Sequence, residues 1–158
     1  KDYRMIETVN LTRVDDRWIK TVKYDDEFRF DDMAYKAFRH VFGSEYLPDL
    51  YRAEWHPEGN VVTLEYDHIE GEQFPPVVID EHGSRLINKT MKMIALKVIP
   101  DFIEFSKSHI NAPMVYMHTD LKMDNIRIRN GKPYLIDIDS MGWIPATSRH
   151  EIYSEYEV

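Results

Sequence analysis

The sequence contains no cysteine. This absence excludes disulfide scaffolds, thiolate zinc sites and cysteine nucleophiles, and it favours a reducing compartment, so we expect a cytoplasmic protein. No uncharged apolar run approaches the roughly 18 residues that a membrane span requires, and no signal peptide is visible, so no membrane partner is expected. Basic residues are in the minority, since 20 Lys and Arg stand against 28 Asp and Glu. The formal net charge of -8 argues against nucleic acid as a partner, because nucleic acid binds basic surfaces.

Apolar and aromatic residues are well represented. The 158 residues are 43% hydrophobic and 13% aromatic, which is enough to build a core and argues against a disordered chain. The length corresponds to one ordinary domain or two very small ones.

The chain opens with a predicted β-hairpin. Residues 6–14 and 17–24 are rich in β-branched side chains and roughly alternate between apolar and polar. Asp15 and Asp16 between them form a turn signal.

One helix and two more strands are predicted next. Apolar residues recur at three- and four-residue spacing from Phe30 to Val41, which predicts a helix that stops at Gly43. Strand-like runs follow at residues 49–55 and 60–66.

The second half begins after an aperiodic, proline-rich stretch, residues 70–76, which is a candidate hinge. An apolar stripe over residues 87–105 predicts a long helix that Pro100 kinks or splits. Residues 114–117 read as a short buried strand.

A second hairpin is predicted around residues 130–131. These residues are Asn-Gly between two β-branched runs, the pattern of a two-residue type I′ turn. Counting outwards along both strands places Asp124 opposite Asp137.

The open end of this hairpin gathers polar side chains. Asn125 and Asp137 are predicted to lie side by side there, with Asp120 one loop away. An amide oxygen and a carboxylate suit Mg²⁺, which favours oxygen ligands and substrate phosphates. A further carboxylate would be free to accept a proton from a nucleophile.

At these residues the sequence resembles the protein-kinase-like superfamily, which includes Ser/Thr protein kinases, aminoglycoside phosphotransferases and choline kinases. Residues 118–125 (HTDLKMDN) match the catalytic loop H-x-D-L-K-x-x-N, and residues 135–139 (LIDID) resemble the metal-binding motif in its small-molecule phosphotransferase form. The resemblance implies that Asp120 is the catalytic base, that Lys122 steadies the transferring phosphoryl group, and that Mg²⁺ binds to Asn125 and Asp137.

The same resemblance extends to the first half. Residues 18–22 (WIKTV) resemble the V-A-I-K strand, which implies that Lys20 holds the ATP phosphates, with Lys23 as a spare on the opposite strand face. Residues 64–71 (LEYDHIEG) resemble the hinge that binds the adenine edge through backbone groups, here expected from Glu65, Tyr66 and Asp67.

Several family features are missing. There is no G-x-G-x-x-G, and the predicted helix offers no Glu to pair with Lys20, Asp32 being the nearest acidic residue. Thr119 stands where many protein kinases have an Arg that responds to phosphorylation of the activation loop. Residues 140–158 contain no A-P-E motif, so we expect a reduced C-terminal lobe. His118 is expected to brace the loop, and Asp139 is either a second metal contact or a turn cap.

The expected fold is α+β and two-lobed, with a nucleotide-binding lobe at residues 1–72 and a reduced catalytic lobe at residues 73–158. The expected function is ATP- and Mg-dependent phosphoryl transfer to a hydroxyl acceptor, with a small molecule slightly favoured over a protein. Two alternatives stay open. One is a pseudokinase that binds without turnover, and the other is a domain that completes its site through a partner or a homodimer.

Overall fold

The computed structural model describes most of the first half of the chain and the region around the second hairpin. The described residues are 6–25, 28–42, 46–73, 113–120, 123–130, 132–145 and 147. The predicted helix at residues 87–105 lies outside them. In this described part of the chain, no helix is long and apolar enough to cross a membrane.

A four-stranded antiparallel sheet forms the first part of the fold. Its strands are β1 (Glu7–Val14), β2 (Arg17–Lys23), β3 (Leu50–Trp55) and β4 (Val61–Asp67), in the spatial order β1-β2-β4-β3. The predicted β1–β2 hairpin is confirmed, and Asp15 in its turn has a positive φ of 56°. Because β4 lies between β2 and β3, it is buried along much of its length.

One helix, α1 (Asp32–Phe42), packs against this sheet. It begins after Asp31, whose carboxylate accepts a hydrogen bond from the N–H of Ala34 at 3.0 Å and so caps the first turn. Tyr35 and Phe38, three positions apart, are fully buried. The sequence predicted this helix correctly.

The second part contains two small sheets. One has the order β5-β7-β8, from β5 (Glu72–Gln73), β7 (Ile126–Arg129) and β8 (Lys132–Leu135). The other pairs β6 (Met114–His118) with β9 (Met141–Pro145). Short 3-10 turns at Met123–Asn125 and Ile138–Ser140 flank the β7–β8 hairpin.

Two of these strands were not predicted. The sequence analysis took residues 70–76 as turn-rich, yet Glu72 and Gln73 pair with β7 as β5. Likewise β9 lies within residues 140–158, for which the sequence predicts no strand. Both strands are specified by their partners, since a short strand has too few residues for a periodic signal.

The hydrophobic core is continuous between the two parts. Val22 and Leu64 from the first sheet belong to the same buried cluster as Met117 and Ile138. The ring of Phe38 on α1 lies 5.5 Å from the ring of Tyr116 on β6. This shared core fixes the first sheet against the hairpin, so that side chains from both can meet at one site.

Candidate active site

Lys20 is the cationic centre of the site. Side chains alternate along β2, so Lys20 and Val22 are buried whereas Lys23 is exposed on the other face. The Nζ atom of Lys20 lies 2.9 Å from Asp139 Oδ1 and 3.0 Å from Asp137 Oδ1. A buried ammonium group thus bridges two carboxylates.

Asp137 is presented by an unusual backbone conformation. It has φ 61° and ψ 51°, in the left-handed region that few residues other than Gly, Asn and Asp adopt. This conformation precedes the 3-10 turn Ile138–Ser140. The hydroxyl of Ser140 donates to Asp137 Oδ2 at 3.0 Å, while Lys20 holds the other carboxylate oxygen.

The β7–β8 hairpin aligns Asn125 with this segment. Its register pairs Ile126 with Leu135, and the next bond runs from the N–H of Ile136 to the carbonyl of Asn125 at 2.8 Å. Asn130 has the positive φ of 54° that the predicted turn requires. The predicted hairpin register is therefore confirmed.

Asn125 also holds Asp120. The Nδ2 group of Asn125 donates to the backbone carbonyl of Asp120 at 2.8 Å and to its carboxylate Oδ2 at 3.2 Å. With Nδ2 committed in this way, the acceptor oxygen Oδ1 is the end of the amide that remains for a cation.

His118 holds the loop that carries Asp120 through hydrogen bonds at both of its ring nitrogens. It is fully buried, and its Nδ1 accepts the backbone N–H of Asp120 at 3.2 Å. Its Nε2 therefore carries the proton and donates to the carbonyl of Ile136 at 2.9 Å. Burial lowers the pKa of His118, so the ring is neutral.

The three charged groups influence one another's ionisation. Burial alone would lower the pKa of Lys20, but the charges of Asp139 and Asp137 outweigh it and raise that pKa. Burial likewise opposes ionisation of Asp137, yet the ammonium of Lys20 holds its pKa down at about 2. Burial and the adjacent Asp137 charge raise the pKa of Asp139 to about 7. The ammonium of Lys20 thus favours the ionised form of both carboxylates, most strongly that of Asp137.

Lys20 and Asp137 line one cavity of about 400 Å³ together with Asp120 and Asn125. Its polar side is formed by Lys20, Asp120, Asp124, Asn125, Arg127 and Asp137. Its aromatic and apolar side includes Leu11, Trp18, Tyr66, Ile69 and Ile136. The lining carries four carboxylates, from Asp67, Asp120, Asp124 and Asp137, against the cationic Lys20 and Arg127, so an anionic ligand would need a bound cation to offset this charge.

The three residues of the predicted hinge, Glu65, Tyr66 and Asp67, do not all line the cavity. Tyr66 and Asp67 line the cavity, whereas Glu65 points away and pairs with Arg17 at 2.8 Å. The backbone of Asp67 is engaged in the sheet region, because its N–H donates to Asp49 at 3.0 Å. The chain leaves the sheet only after Asp67.

Lys122 lies outside the described residues, so its predicted role stays a prediction. Asp32 is in the first turn of α1, and the carboxylates paired with Lys20 in the described part of the chain are Asp137 and Asp139.

The sequence analysis missed the aromatic wall of the cavity. Trp18 lies two positions before Lys20 on β2, and therefore on the same face. Its indole N–H donates to His68 Nδ1 at 2.9 Å, and the two rings meet edge to face with centroids 5.7 Å apart. Strand parity could have identified Trp18, but nothing local identifies its partner.

The donor set fits Mg²⁺ bound together with phosphates. Among the described residues there is no group of three or more His, Asp or Glu side chains arranged to hold a metal ion. Asn125 and Asp137 supply one amide oxygen and one carboxylate facing the same cavity. Mg²⁺ commonly binds through one or two carboxylates and completes its shell with phosphate and water oxygens.

No protein-family model matches the chain, and no curated protein matches it. Among solved structures, the kinase PK-1 of Cydia pomonella granulovirus is similar with a TM-score of 0.46 and 14% identity, over 85% of this chain and 53% of that one. The maize SIRK1 kinase domain bound to AMP-PNP has a TM-score of 0.43 and 13% identity, and the match covers 87% of this chain and 52% of that one. The amicoumacin kinase hAmiN, in complex with AMP-PNP, has a TM-score of 0.40 and 12% identity, and the match covers 90% of this chain and 62% of that one. The chain thus spans between half and two thirds of these kinases, at a similarity below the level that defines a shared family.

Proposed function

We propose that the protein is an ATP- and Mg-dependent phosphotransferase that transfers a phosphoryl group to a hydroxyl acceptor. One observation carries this proposal: Lys20, Asp120, Asn125 and Asp137 line a single cavity that is also lined by the aromatic rings of Trp18 and Tyr66. A nucleoside triphosphate has the matching chemistry, because it joins a flat base to a chain of anionic phosphates.

Each polar side chain has a distinct role in this proposal. The ammonium of Lys20 binds phosphate oxygens, and Asn125 and Asp137 hold Mg²⁺. When bound, Mg²⁺ neutralises phosphate charge as it shifts during transfer. Asp120 accepts the proton of the attacking hydroxyl, and Asn125 keeps its carboxylate in place. Lys122 is assigned to the moving phosphoryl group.

Positioning and electrostatics would supply most of the rate acceleration. Phosphoryl transfer requires little covalent chemistry from the protein. Lys20 and Asp137 come from separate parts of the chain, and their contact places both groups beside the cavity before a ligand arrives. Groups that the fold has already brought together need only small movements to bind the phosphates and the cation.

The adenine base of the nucleotide is assigned to the aromatic side of the cavity. Trp18 is held by His68, and Tyr66 and Ile69 lie on the same wall. The expected hinge at Glu65, Tyr66 and Asp67 is retained as the binding region, with the side chains of Tyr66 and Asp67 facing the cavity. The acceptor is proposed to be a small molecule rather than a protein, because residues 135–139 (LIDID) resemble the metal-binding motif in its small-molecule phosphotransferase form.

A second candidate is a binding module without turnover. It is favoured by the engagement of both Asp137 oxygens, one with Lys20 at 3.0 Å and the other with Ser140 at 3.0 Å. This arrangement satisfies the carboxylate without a metal ion, as a scaffold would require.

Calorimetric titration of AMP-PNP, with and without Mg²⁺, tests the proposal. We expect Mg²⁺-dependent binding to the wild-type protein and its loss in Asp137→Ala. The release of ADP from ATP then distinguishes the two candidate functions. A phosphotransferase releases ADP, and its Asp120→Asn variant should release it far more slowly. Absence of binding at millimolar AMP-PNP would refute the phosphotransferase. Binding without ADP release, in the presence of a panel of hydroxyl compounds, would favour the binding module.

A further inference from the structure

Lys20 has two carboxylate partners that differ in their access to the cavity. Asp137 lines the cavity, and its side chain is 25% exposed. Asp139 is not among the described residues that line the cavity, and its side chain is 4% exposed. A ligand can therefore reach the first carboxylate but not the second.

A buried lysine requires a partner that stays in place. Removing the counter-charge of a buried ammonium leaves it uncompensated, at a large cost in free energy. If phosphate and cation bind as proposed, Asp137 is drawn into that interaction. The ammonium would then keep only the contact with Asp139, at 2.9 Å.

The backbone around Asp139 is held independently of the ligand. The hydroxyl of Tyr24, itself buried, donates to the carbonyl of Asp139 at 2.6 Å. The carbonyl of the next residue, Ser140, accepts hydrogen bonds from the N–H and the hydroxyl of Thr119, at 2.9 and 2.6 Å. The residues that directly follow strands β2 and β6 therefore hold this turn in place.

Helix α1 does not supply this anchor. Its acidic residue is Asp32, in the first turn, and no ion pair joins it to Lys20 within the described residues. The turn that carries Asp137 provides the second carboxylate instead.

We infer that Asp139 is a positioning residue that keeps the ammonium group of Lys20 directed at the phosphates when Asp137 binds the cation. This inference rests on the proposed function. It accounts for two acidic side chains two positions apart that differ in exposure but share one lysine.

A double-mutant cycle tests the inference. AMP-PNP with Mg²⁺, and separately adenosine, are titrated into wild type, Asp139→Asn, Lys20→Met and the double variant. We expect Asp139→Asn to weaken AMP-PNP binding by about tenfold, the value of one charge-assisted contact, and to leave adenosine binding unchanged. In the Lys20→Met background, Asp139→Asn should have no further effect, because the residue acts through the lysine.

The control is Glu54→Gln, which removes an exposed carboxylate that pairs with Arg52 on β3. It should bind both ligands as wild type does. If Asp139→Asn does not fold, Tyr24→Phe can replace it, because this variant removes the hydroxyl that holds the Asp139 backbone. It should weaken the binding of AMP-PNP but not that of adenosine, and by less than the loss expected for Asp139→Asn.

Three results would overturn the inference. Unchanged AMP-PNP affinity in Asp139→Asn gives the residue no role, and equal loss of both ligands gives it a purely structural one. A loss that persists in the Lys20→Met background would mean that Asp139 contacts the ligand or the cation directly. Failure of wild type to bind AMP-PNP is a different outcome, because it removes the proposed function itself.

Discussion

The side chain of Asn125 donates hydrogen bonds to both the backbone carbonyl and the carboxylate of Asp120, at 2.8 and 3.2 Å. One amide thus fixes the orientation of an acidic group at the edge of the cavity. Since its nitrogen is used in this way, its oxygen is available to a cation. The relationship links the proposed base to the proposed metal site through a single residue.

Substitution of Asp120 should separate binding from turnover. Asp120→Asn keeps the shape of the side chain but removes its capacity to accept a proton. We expect ADP release to fall by about 10²- to 10⁴-fold, the usual contribution of a general base, with little change in AMP-PNP affinity. Parallel rate and calorimetric measurements check this, and an unaltered rate would remove Asp120 from the mechanism.

The two lysines of β2 offer a matched pair. Lys20→Met should weaken AMP-PNP binding by about 10- to 100-fold, because a phosphate loses its charged partner. Lys23→Met, on the exposed face of the same strand, should bind as wild type. Equal affinity of the two variants would exclude Lys20 as the phosphate ligand.

Lys20→Met should also destabilise the protein. It leaves Asp137 and Asp139 close together without their shared cation. Removing one partner of a buried ion pair costs about 3 to 5 kcal/mol, which denaturant unfolding can measure. A second substitution, Asp139→Asn, should recover part of this loss, because it removes one of the opposed carboxylates.

Trp18 should contribute to binding of the adenine base of the nucleotide and not to binding of its phosphates. Trp18→Ala removes one of the aromatic rings that line the cavity, and stacking of a nucleobase on an aromatic ring is worth about 1–3 kcal/mol. We expect weaker binding of AMP-PNP and of adenosine, but unchanged binding of inorganic triphosphate. If triphosphate binding falls to the same extent, the substitution has disturbed the whole cavity.

The stability of the protein should depend on pH through His118. Burial lowers the pKa of this ring below its ordinary value of 6.5. As the pH falls through 6.5, this ring takes up a proton in the unfolded chain but not in the folded protein, so the contribution of His118 to stability decreases until the lowered pKa is reached. The slope is at most about 1.4 kcal/mol per pH unit.

The variant His118→Gln isolates this contribution. It lacks the titrating ring but retains a side-chain N–H donor for the carbonyl of Ile136. Unfolding in denaturant between pH 7 and 5 should show a smaller loss of stability in the variant than in wild type. Parallel curves would show that the ring does not titrate on unfolding.

Close packing at Gly142 gives a prediction for the fold. A Cβ atom at this position would lie 2.4 Å from Cε2 of Phe28, so Gly142→Ala should destabilise the protein by about 1–3 kcal/mol. Phe28→Leu should offset part of this loss in the double variant, because it removes the ring that the new methyl group meets. Additive losses measured by denaturant unfolding would contradict this account.

Local patterns were sufficient for much of the fold. The hairpin at Asp15, the helix from Asp32 and the turn at Asn130 each have signals within a few residues of one another. Local hydrogen bonds and alternating burial determine such elements. By contrast, β5 and β9 are defined by their pairing with β7 and β6, so their own residues carry little signal.

The candidate site shows the same division. The sequence by itself determined which chemical groups are present, and it placed Asn125 near Asp137, because a two-residue turn sets the register of the hairpin. Only the tertiary structure decided that Lys20 meets Asp137 and Asp139, which lie 117 and 119 positions further along the chain. No local pattern specifies such a contact. It arises because burial of a shared core brings the first sheet against the hairpin, and the buried charges must then find one another.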